Sequence, residues 1–234
     1  MNELNLSIRL EEVVKSIPLG AKIADIGSDH AYLPCFAYLN GYISGAVAGE
    51  ITEGPLQSAI QQVKKTSLTD VIDVRKGNGL EVISPNEVDC ITICGMGGTL
   101  ITMILEEGKA KLEGVKRLVL QPNIGSHHIR SWLIEHNWEI IDEKIIEEDG
   151  RMYEVIVAEP GNALAPYNGE VEAGVLMGPI LKEKRSSAFM TKWTHELNHL
   201  KQIVSQMEQA QSEESKAKLQ KLTQDISLIE EALK

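Results

Sequence analysis

Asp25, Asp29, His30 and Glu50 are the residues of this chain whose types and spacing most clearly bear on chemistry. The first three lie in Lys22-Ile-Ala-Asp-Ile-Gly-Ser-Asp-His-Ala-Tyr-Leu-Pro34. Ile23, Ala24 and Ile26 form a short apolar run that reads as a buried parallel strand. Gly27 follows where a chain turning off a strand needs backbone freedom. Ala31 to Asn40 then reads as a helix, with Pro34 tolerated in its first turn. A strand, a glycine turn and a helix N-terminus make the edge of a nucleotide-type pocket. A dinucleotide fingerprint would carry Gly-x-Gly-x-x-Gly, so that backbone amides meet a pyrophosphate. Here only the first glycine is present, and Asp29 and His30 stand where the phosphate would come. Asp25 and Asp29 would repel it. The turn suits a ligand with a cationic end and no phosphate.

The elements that must position these residues alternate along the chain. An amphipathic helix, Leu4 to Lys15, carries Leu6, Leu10, Val13 and Val14 on one face. Gly45 to Ile51 is a second strand, followed by a helix over 53–66 and a strand at Val71 to Arg75. Val88 to Cys94 is a fourth strand that breaks at Gly95-Met-Gly-Gly98 and enters a helix to about Glu107. Arg117 to Gln121 is a fifth strand, ended by Gln121-Pro-Asn123, and a helix over 125–136 follows. Strand and helix in alternation imply a parallel sheet covered on both faces. Trp138 to Ile146 and Met152 to Ala158 break the pattern, because Asp149-Gly150 between two strands signals an antiparallel hairpin. A doubly wound sheet closed by such a hairpin differs from the parallel dehydrogenase sheet. It matches the seven-strand, Rossmann-like sheet of class I methyltransferases, whose S-adenosylmethionine has a sulfonium, an amino-acid tail and no phosphate. The expected class is therefore α/β.

Pro160 to Pro166 reads as a linker, giving domains over 1–160 and 161–234. Beyond it Met190, Trp193, Leu197, Leu200, Val204 and Met207 are spaced by threes and fours, as are Leu219, Leu222, Ile226, Ile229 and Leu233. Two such heptad seams joined by the polar stretch Gln209 to Ser215 read as an antiparallel coiled-coil hairpin.

The 234 residues allow one large domain, or one with an appendage. The net charge of −11 argues against a nucleic-acid partner, yet nearly all of it falls in the first 160 residues. The remaining arm is close to neutral and can carry a local basic face. Cys35, Cys90 and Cys94 show neither metal spacing nor an even disulfide count. No apolar run approaches the roughly 18 residues of a membrane helix, and no secretory pattern opens the chain. The expectation is a cytoplasmic protein with no membrane contact and no metal.

Together, Asp25-Ile-Gly-Ser-Asp-His-Ala-Tyr-Leu-Pro34, Cys94-Gly-Met-Gly-Gly98, Gln121-Pro-Asn123 and the C-terminal heptads resemble the bacterial TrmK family of tRNA (adenine-N1)-methyltransferases, which act on the D-arm adenosine at position 22. The resemblance covers nearly the whole chain. It implies S-adenosylmethionine as methyl donor, a class I fold, tRNA as partner and a coiled-coil domain that helps hold it.

Glu50 then suits a grip on both ribose hydroxyls, against the plainer reading of a solvated strand-end acid. Asp25, Gly27, Ser28, Asp29 and His30 would line the methionine end, where a carboxylate pairs with an ammonium group. Asp29 also suits a helix N-cap. Asn78 and Gly79 stand where the cofactor adenine rests in this fold. Gly95, Met96 and Gly97 would let a cofactor or flipped base approach the backbone, or merely form a tight turn. Adenine N1 has a free lone pair once unpaired, so a general base is optional and alignment matters most. Asp29 is the expected electrostatic partner of the cationic product ring, with His30 and Tyr32 touching substrate. Gln121, Pro122 and Asn123 would shape and bond the base edge, or simply end a strand. Lys182, Lys184, Arg185 and Lys192 form one candidate basic face for tRNA, and Arg130 with His127 and His128 a second. Each lysine by itself reads equally as a solvated helix face.

Three other readings follow. One is a methyltransferase acting on a small molecule or protein, the arm serving dimerisation. Another is a non-catalytic interaction protein, against which the intact acidic turn and Glu50 argue. A nicotinamide oxidoreductase is disfavoured by the missing glycines. The short polar loop favours heptad pairing within the chain, hence a monomer.

Overall fold

The computed structural model describes residues 5–207 and 213–234. The chain divides into two compact units, one up to Ala163 and one from Leu164 onward. Among the described residues the first unit holds one sheet of seven strands: β1 (Ala21–Ile26), β2 (Ile43–Glu50), β3 (Ile72–Lys76), β4 (Cys90–Gly97), β5 (Arg117–Ile124), β6 (Trp138–Glu148) and β7 (Arg151–Pro160). Their order is β3-β2-β1-β4-β5-β7-β6. The first five are parallel, β7 runs antiparallel to β5, and β6 antiparallel to β7. α1 (Ile8–Ser16) precedes β1, while α2 (Tyr32–Leu39), α3 (Glu53–Lys65), α4 (Gly98–Glu107) and α5 (Ser126–Glu135) follow successive strands. Strand order reverses between β1 and β4, and the ends of those strands open the crevice where such sheets bind ligands.

The apolar runs explain the layers. Ile23, Ala24, Val47, Ile91, Ile93, Leu118, Val119 and Leu120 are fully buried, as strands covered on both faces must be. Asp149 and Gly150 take the two left-handed conformations of a tight hairpin turn, with φ of 50° and 71°.

Three of the element ends that differ from the sequence expectation bear on the site. α1 starts at Ile8, and Leu4 lies outside the described residues. The Ile8 amide donates to Glu148 Oε1 at 2.5 Å, so a carboxylate from the distant hairpin caps this helix. β4 does not break at Gly95 but continues to Gly97, through irregularities in its pairing with β5 on either side of Met96. β5 likewise runs to Ile124, so Gln121-Pro-Asn123 is strand rather than a strand-ending loop.

The second unit contains α6 (Val171–Met177), α7 (Pro179–Lys184), α8 (Ser187–Met207) and α9 (Glu213–Leu233). Trp193, Leu200 and Ile229 of the two seams are buried, and the other seam residues are half-buried. Lys201 Nζ meets a Glu230 carboxylate oxygen at 2.6 Å. A parallel α8–α9 pair in that register would put Met207 roughly 35 Å from Glu213. The five intervening residues cannot span that distance, so the pair is antiparallel. Residues 209–212 of the expected polar loop lie outside the described residues.

Candidate active site

The turn after β1 is held from β2. Gly27 and Ser28 donate their amides to the Gly49 carbonyl at 2.9 and 3.3 Å. The Asp29 amide donates to Glu50 Oε1 at 2.5 Å. Asp29, His30 and Ala31 then take left-handed φ values of 36°, 67° and 53° in succession. Each costs about 1–2 kcal/mol in an L-residue, and such strain persists only where surrounding bonds over-determine it. Glu50 supplies one of those bonds while being 6% exposed. Its burial pushes its carboxyl above the ordinary carboxylate range, and the Asp29 amide pulls partly the other way.

Two cavities meet at this turn. The polar one, about 260 Å³, is lined by Asp25, Ser28, Asp29, Tyr32 and Asn123 among others. The second, about 300 Å³, is mainly apolar and includes Ile51, Asn78, Gly79, Leu100 and Met103. Gly27 and Met96 line both. A Cβ on Gly27 would stand 2.2 Å from Met96 Cε, so glycine is what lets Met96 lie across the junction. Asp25 is buried, with Oδ2 accepting from Ser28 Oγ at 2.5 Å and Oδ1 from Thr92 Oγ1 at 2.6 Å. Burial pushes its carboxyl up, against the pull of both hydroxyls. Asp29 projects outward with a 71% exposed side chain, its Oδ1 3.5 Å from His30 Nε2. The His30 ring lies parallel to Tyr32 at 5.2 Å between centroids. Asn78 is less free than its place suggests, because it forms a reciprocal capping box with Glu81. Glu50 itself lines neither cavity; its neighbours Gly49 and Ile51 line the apolar one.

The Gly95 peptide is fixed from β5. Its N–H donates to Gln121 Oε1 at 3.2 Å, and its carbonyl accepts from Asn123 Nδ2 at 2.7 Å. Gln121 is fully buried and also accepts from Arg9 Nη1 at 2.6 Å. Pro122 is buried as well. Gln121 and Pro122 are therefore buried rather than turned toward a base edge, contrary to expectation, and Gln121 holds the Gly95 peptide in place. Asn123 does reach the polar cavity. At Gly98 a Cβ would fall 2.0 Å from the Gly125 carbonyl oxygen, which explains that glycine by packing. At Gly97 a Cβ would meet only Ile124 Cγ1, at 4.0 Å, so close packing does not demand glycine there.

Arg130 is the clearest correction. It is fully buried on α5, with Nε 2.8 Å from Glu143 Oε1 and Nη2 2.5 Å from Glu154 Oε2. It ties α5 to the hairpin and presents no face to solvent, whereas His127 and His128 are exposed. In the second unit, Lys182 pairs with Glu170, and Lys192 Nζ lies 5.1 Å over the Trp193 ring. Lys182 and Arg185 line a cavity of about 780 Å³ together with Glu170, Glu172, Glu183 and Glu231. Lys184 is the last residue of α7. The anticipated basic face is thus interleaved with carboxylates.

Sequence reasoning missed Arg9, Leu10 and Cys94 in the polar cavity and Ile51, Leu100 and Met103 in the apolar one. Arg9 had no motif to announce it; the ring of Tyr153 at 5.0 Å and Glu148 at 3.2 Å put it there. Burial pushes the Cys94 thiol well above its ordinary range, which keeps it protonated and unsuited to act as a nucleophile.

A seven-strand sheet closed by an antiparallel hairpin, with an acidic turn after its first strand, is the architecture of a class I methyltransferase domain. The family of tRNA (adenine(22)-N(1))-methyltransferases, TrmK, matches residues 23–231, and the chain belongs to that family. It is 54% identical over 235 residues to the tRNA (adenine(22)-N(1))-methyltransferase of Bacillus subtilis, covering all of this chain and 99% of that one. The crystal structure of the B. subtilis M1A22 tRNA methyltransferase TrmK superposes with a TM-score of 0.96 at 52% identity, over 99% of this chain and 100% of that one. A Streptococcus pneumoniae structure in complex with S-adenosyl-L-methionine superposes with a TM-score of 0.86 at 39% identity, over 98% of this chain and 100% of that one.

Proposed function

We propose that this chain methylates N1 of the adenosine at position 22 in the D-arm of tRNA, using S-adenosylmethionine. The observation that carries the reading is the pair of cavities joined at Gly27 and Met96, one apolar and one polar, beside a turn whose Gly27, Ser28 and Asp29 amides are already bonded to β2. The donor set fits the cofactor: Asp25, Ser28 and Asp29 suit an ammonium and sulfonium, Glu50, between Gly49 and Ile51 of the apolar cavity, a ribose, and the Asn78–Gly79 end of that cavity an adenine. Bound there, S-adenosylmethionine supplies a methyl carbon on a sulfonium, which the N1 lone pair attacks as the carbon–sulfur bond breaks, with no proton leaving N1. The chain's own work is alignment and charge. Gln121 and Asn123 fix the Gly95 peptide on both sides. Asp29 places a carboxylate at the cavity rim, where it stabilises the ring as it becomes cationic. His30 and Tyr32 offer stacked faces to the substrate.

Residues 161–234 serve tRNA binding through Lys182, Lys184, Arg185 and Lys192, with α8 and α9 as a coiled-coil arm in a monomer. No described helix is long and apolar enough to cross a membrane, and a cytoplasmic location accords with a tRNA substrate. The test is methyl transfer from radiolabelled S-adenosylmethionine to unmodified tRNA transcripts, with the target adenosine replaced by guanosine as control. Label on the adenosine transcript alone is expected. No label on either, with cofactor binding intact, would transfer the reading to a small-molecule or protein substrate and make the arm a dimerisation device.

A further inference from the structure

Ile124 is 76% exposed although it ends a central strand of the sheet. Its backbone is not loose. It pairs in register with Gly97, and Gly98 packs so closely that a Cβ there would lie 3.3 Å from the Ile124 carbonyl and 2.0 Å from that of Gly125. An apolar side chain held rigidly in solvent has no role in the core. Its place is the rim of the polar cavity: Asn123 lines that cavity, and Met96, beside Gly97, lines both. Next along the chain, the exposed rings of His127 and His128 lie 4.1 Å apart between centroids.

Charge gives a second, independent observation. The chain is strongly acidic, yet no Asp or Glu occurs from Val115 to Ile134, nor from Cys90 to Leu105. These two stretches carry the β4 and β5 ends that frame the cavity. The β4 and β5 stretches thus bring no carboxylate to their side of the rim, Asp29 standing on the β1 side, and that side is where a polyanion can approach an otherwise repulsive body.

We propose that Ile124 is an apolar wedge that enters the RNA strand beside the target adenosine, stacking on the neighbouring base while the target turns into the polar cavity, with His127 and His128 facing the same strand. This rests on the reading of the site as an RNA adenine-N1 methyltransferase. N1 lies on the Watson–Crick edge, so a paired adenosine must leave its stack before it can react. A wedge that replaces the lost stacking lowers that cost, as apolar side chains do when they part base steps. Ile124 is then a positioning residue for base extrusion, with no part in cofactor binding or the transfer itself.

The test compares the full-length protein with Ile124→Ala and Ile124→Leu on two transcripts. One is the unmodified tRNA. The other carries a changed nucleotide opposite the target, so that the target adenosine is already unpaired. Ile124→Ala should lower kcat/KM on the paired transcript about ten- to hundredfold, the range set by one base stack. On the unpaired transcript it should lose less than about threefold. Ile124→Leu should retain activity on both, and S-adenosylhomocysteine affinity should be unchanged throughout. Equal losses on the two transcripts, or no loss on either, would overturn the wedge. Failure of the wild-type protein to label either transcript would instead overturn the underlying functional reading, and the wedge with it.

Discussion

Replacing Arg130 by Met tests whether this arginine is a buried tie or a tRNA contact. Its guanidinium is fully buried between Glu143 at 2.8 Å and Glu154 at 2.5 Å, and both carboxylates are themselves at most 2% exposed. Removing one partner from a buried pair costs about 3–5 kcal/mol, because the remaining charge stays desolvated. Here one guanidinium serves two carboxylates, so Arg130→Met should lie near the upper end, about 5 kcal/mol at neutral pH. For a domain of this size that is a fall in midpoint of about 10–20 °C. Two carboxylates left without a cation have folded-state pKa values raised above their unfolded ones. Their destabilisation is therefore full at neutral pH and is relieved as pH falls through the raised values. The triple variant Arg130→Met, Glu143→Leu, Glu154→Leu should recover most of the loss, since a well-packed apolar replacement of such a network is often neutral. Urea and thermal unfolding of the three proteins at neutral and mildly acidic pH provide the measurement. A loss below about 1 kcal/mol in Arg130→Met, or weaker tRNA binding at an unchanged unfolding midpoint, would refute the argument.

Other variants separate the roles at the site. Glu50→Gln keeps an acceptor for the Asp29 amide but loses the charge, and should weaken S-adenosylhomocysteine binding about ten- to hundredfold by calorimetry; equal affinity would remove Glu50 from the ribose. Asp29→Asn should slow single-turnover methylation at saturating cofactor by about tenfold, a modest effect for so exposed a carboxylate; an unchanged rate would end its electrostatic role. Glu87, held down to about 2 by its bonds to Arg75, has a folded-state pKa below its unfolded one. Its contribution, about 2 kcal/mol after allowance for solvent screening, is complete above the unfolded value and lost as pH falls toward 2. Glu87→Gln should flatten that part of the acid limb, and a superposable pH–stability curve would count against the pair. Reversing Lys182, Lys184 and Arg185 together to Glu should weaken tRNA binding and lower the salt slope by about three. Unchanged affinity and slope would place the tRNA elsewhere.

Much of this architecture was legible in one dimension because the signals are local. Buried parallel strands need continuous apolar runs, and Asp149-Gly150 is among the few dipeptides that suit two left-handed residues in a row. The acidic turn could be read as phosphate-free because charge and missing glycines are properties of composition. The heptad spacing likewise located α8 and α9 to within a few residues. Each of these depends only on a residue and its near neighbours.

What depended on partners far along the chain was decided by the tertiary structure alone. Arg130 looks like a surface cation beside two histidines, yet Glu143 and Glu154 on the hairpin draw it inside. Gln121 looks like a ligand for a base edge, but Arg9 and the Gly95 amide use its carbonyl oxygen. The start of α1 is set by Glu148, well over a hundred residues away. At the end of β4, packing against Gly125 demands glycine at Gly98 but nothing as close does so at Gly97, a difference invisible in the sequence. Residue types and spacing determined which chemistry this protein can carry. Burial and long-range pairing decided which polar groups remain free to perform it, because a hydrogen-bonding group already satisfied inside the fold has little left to offer a ligand.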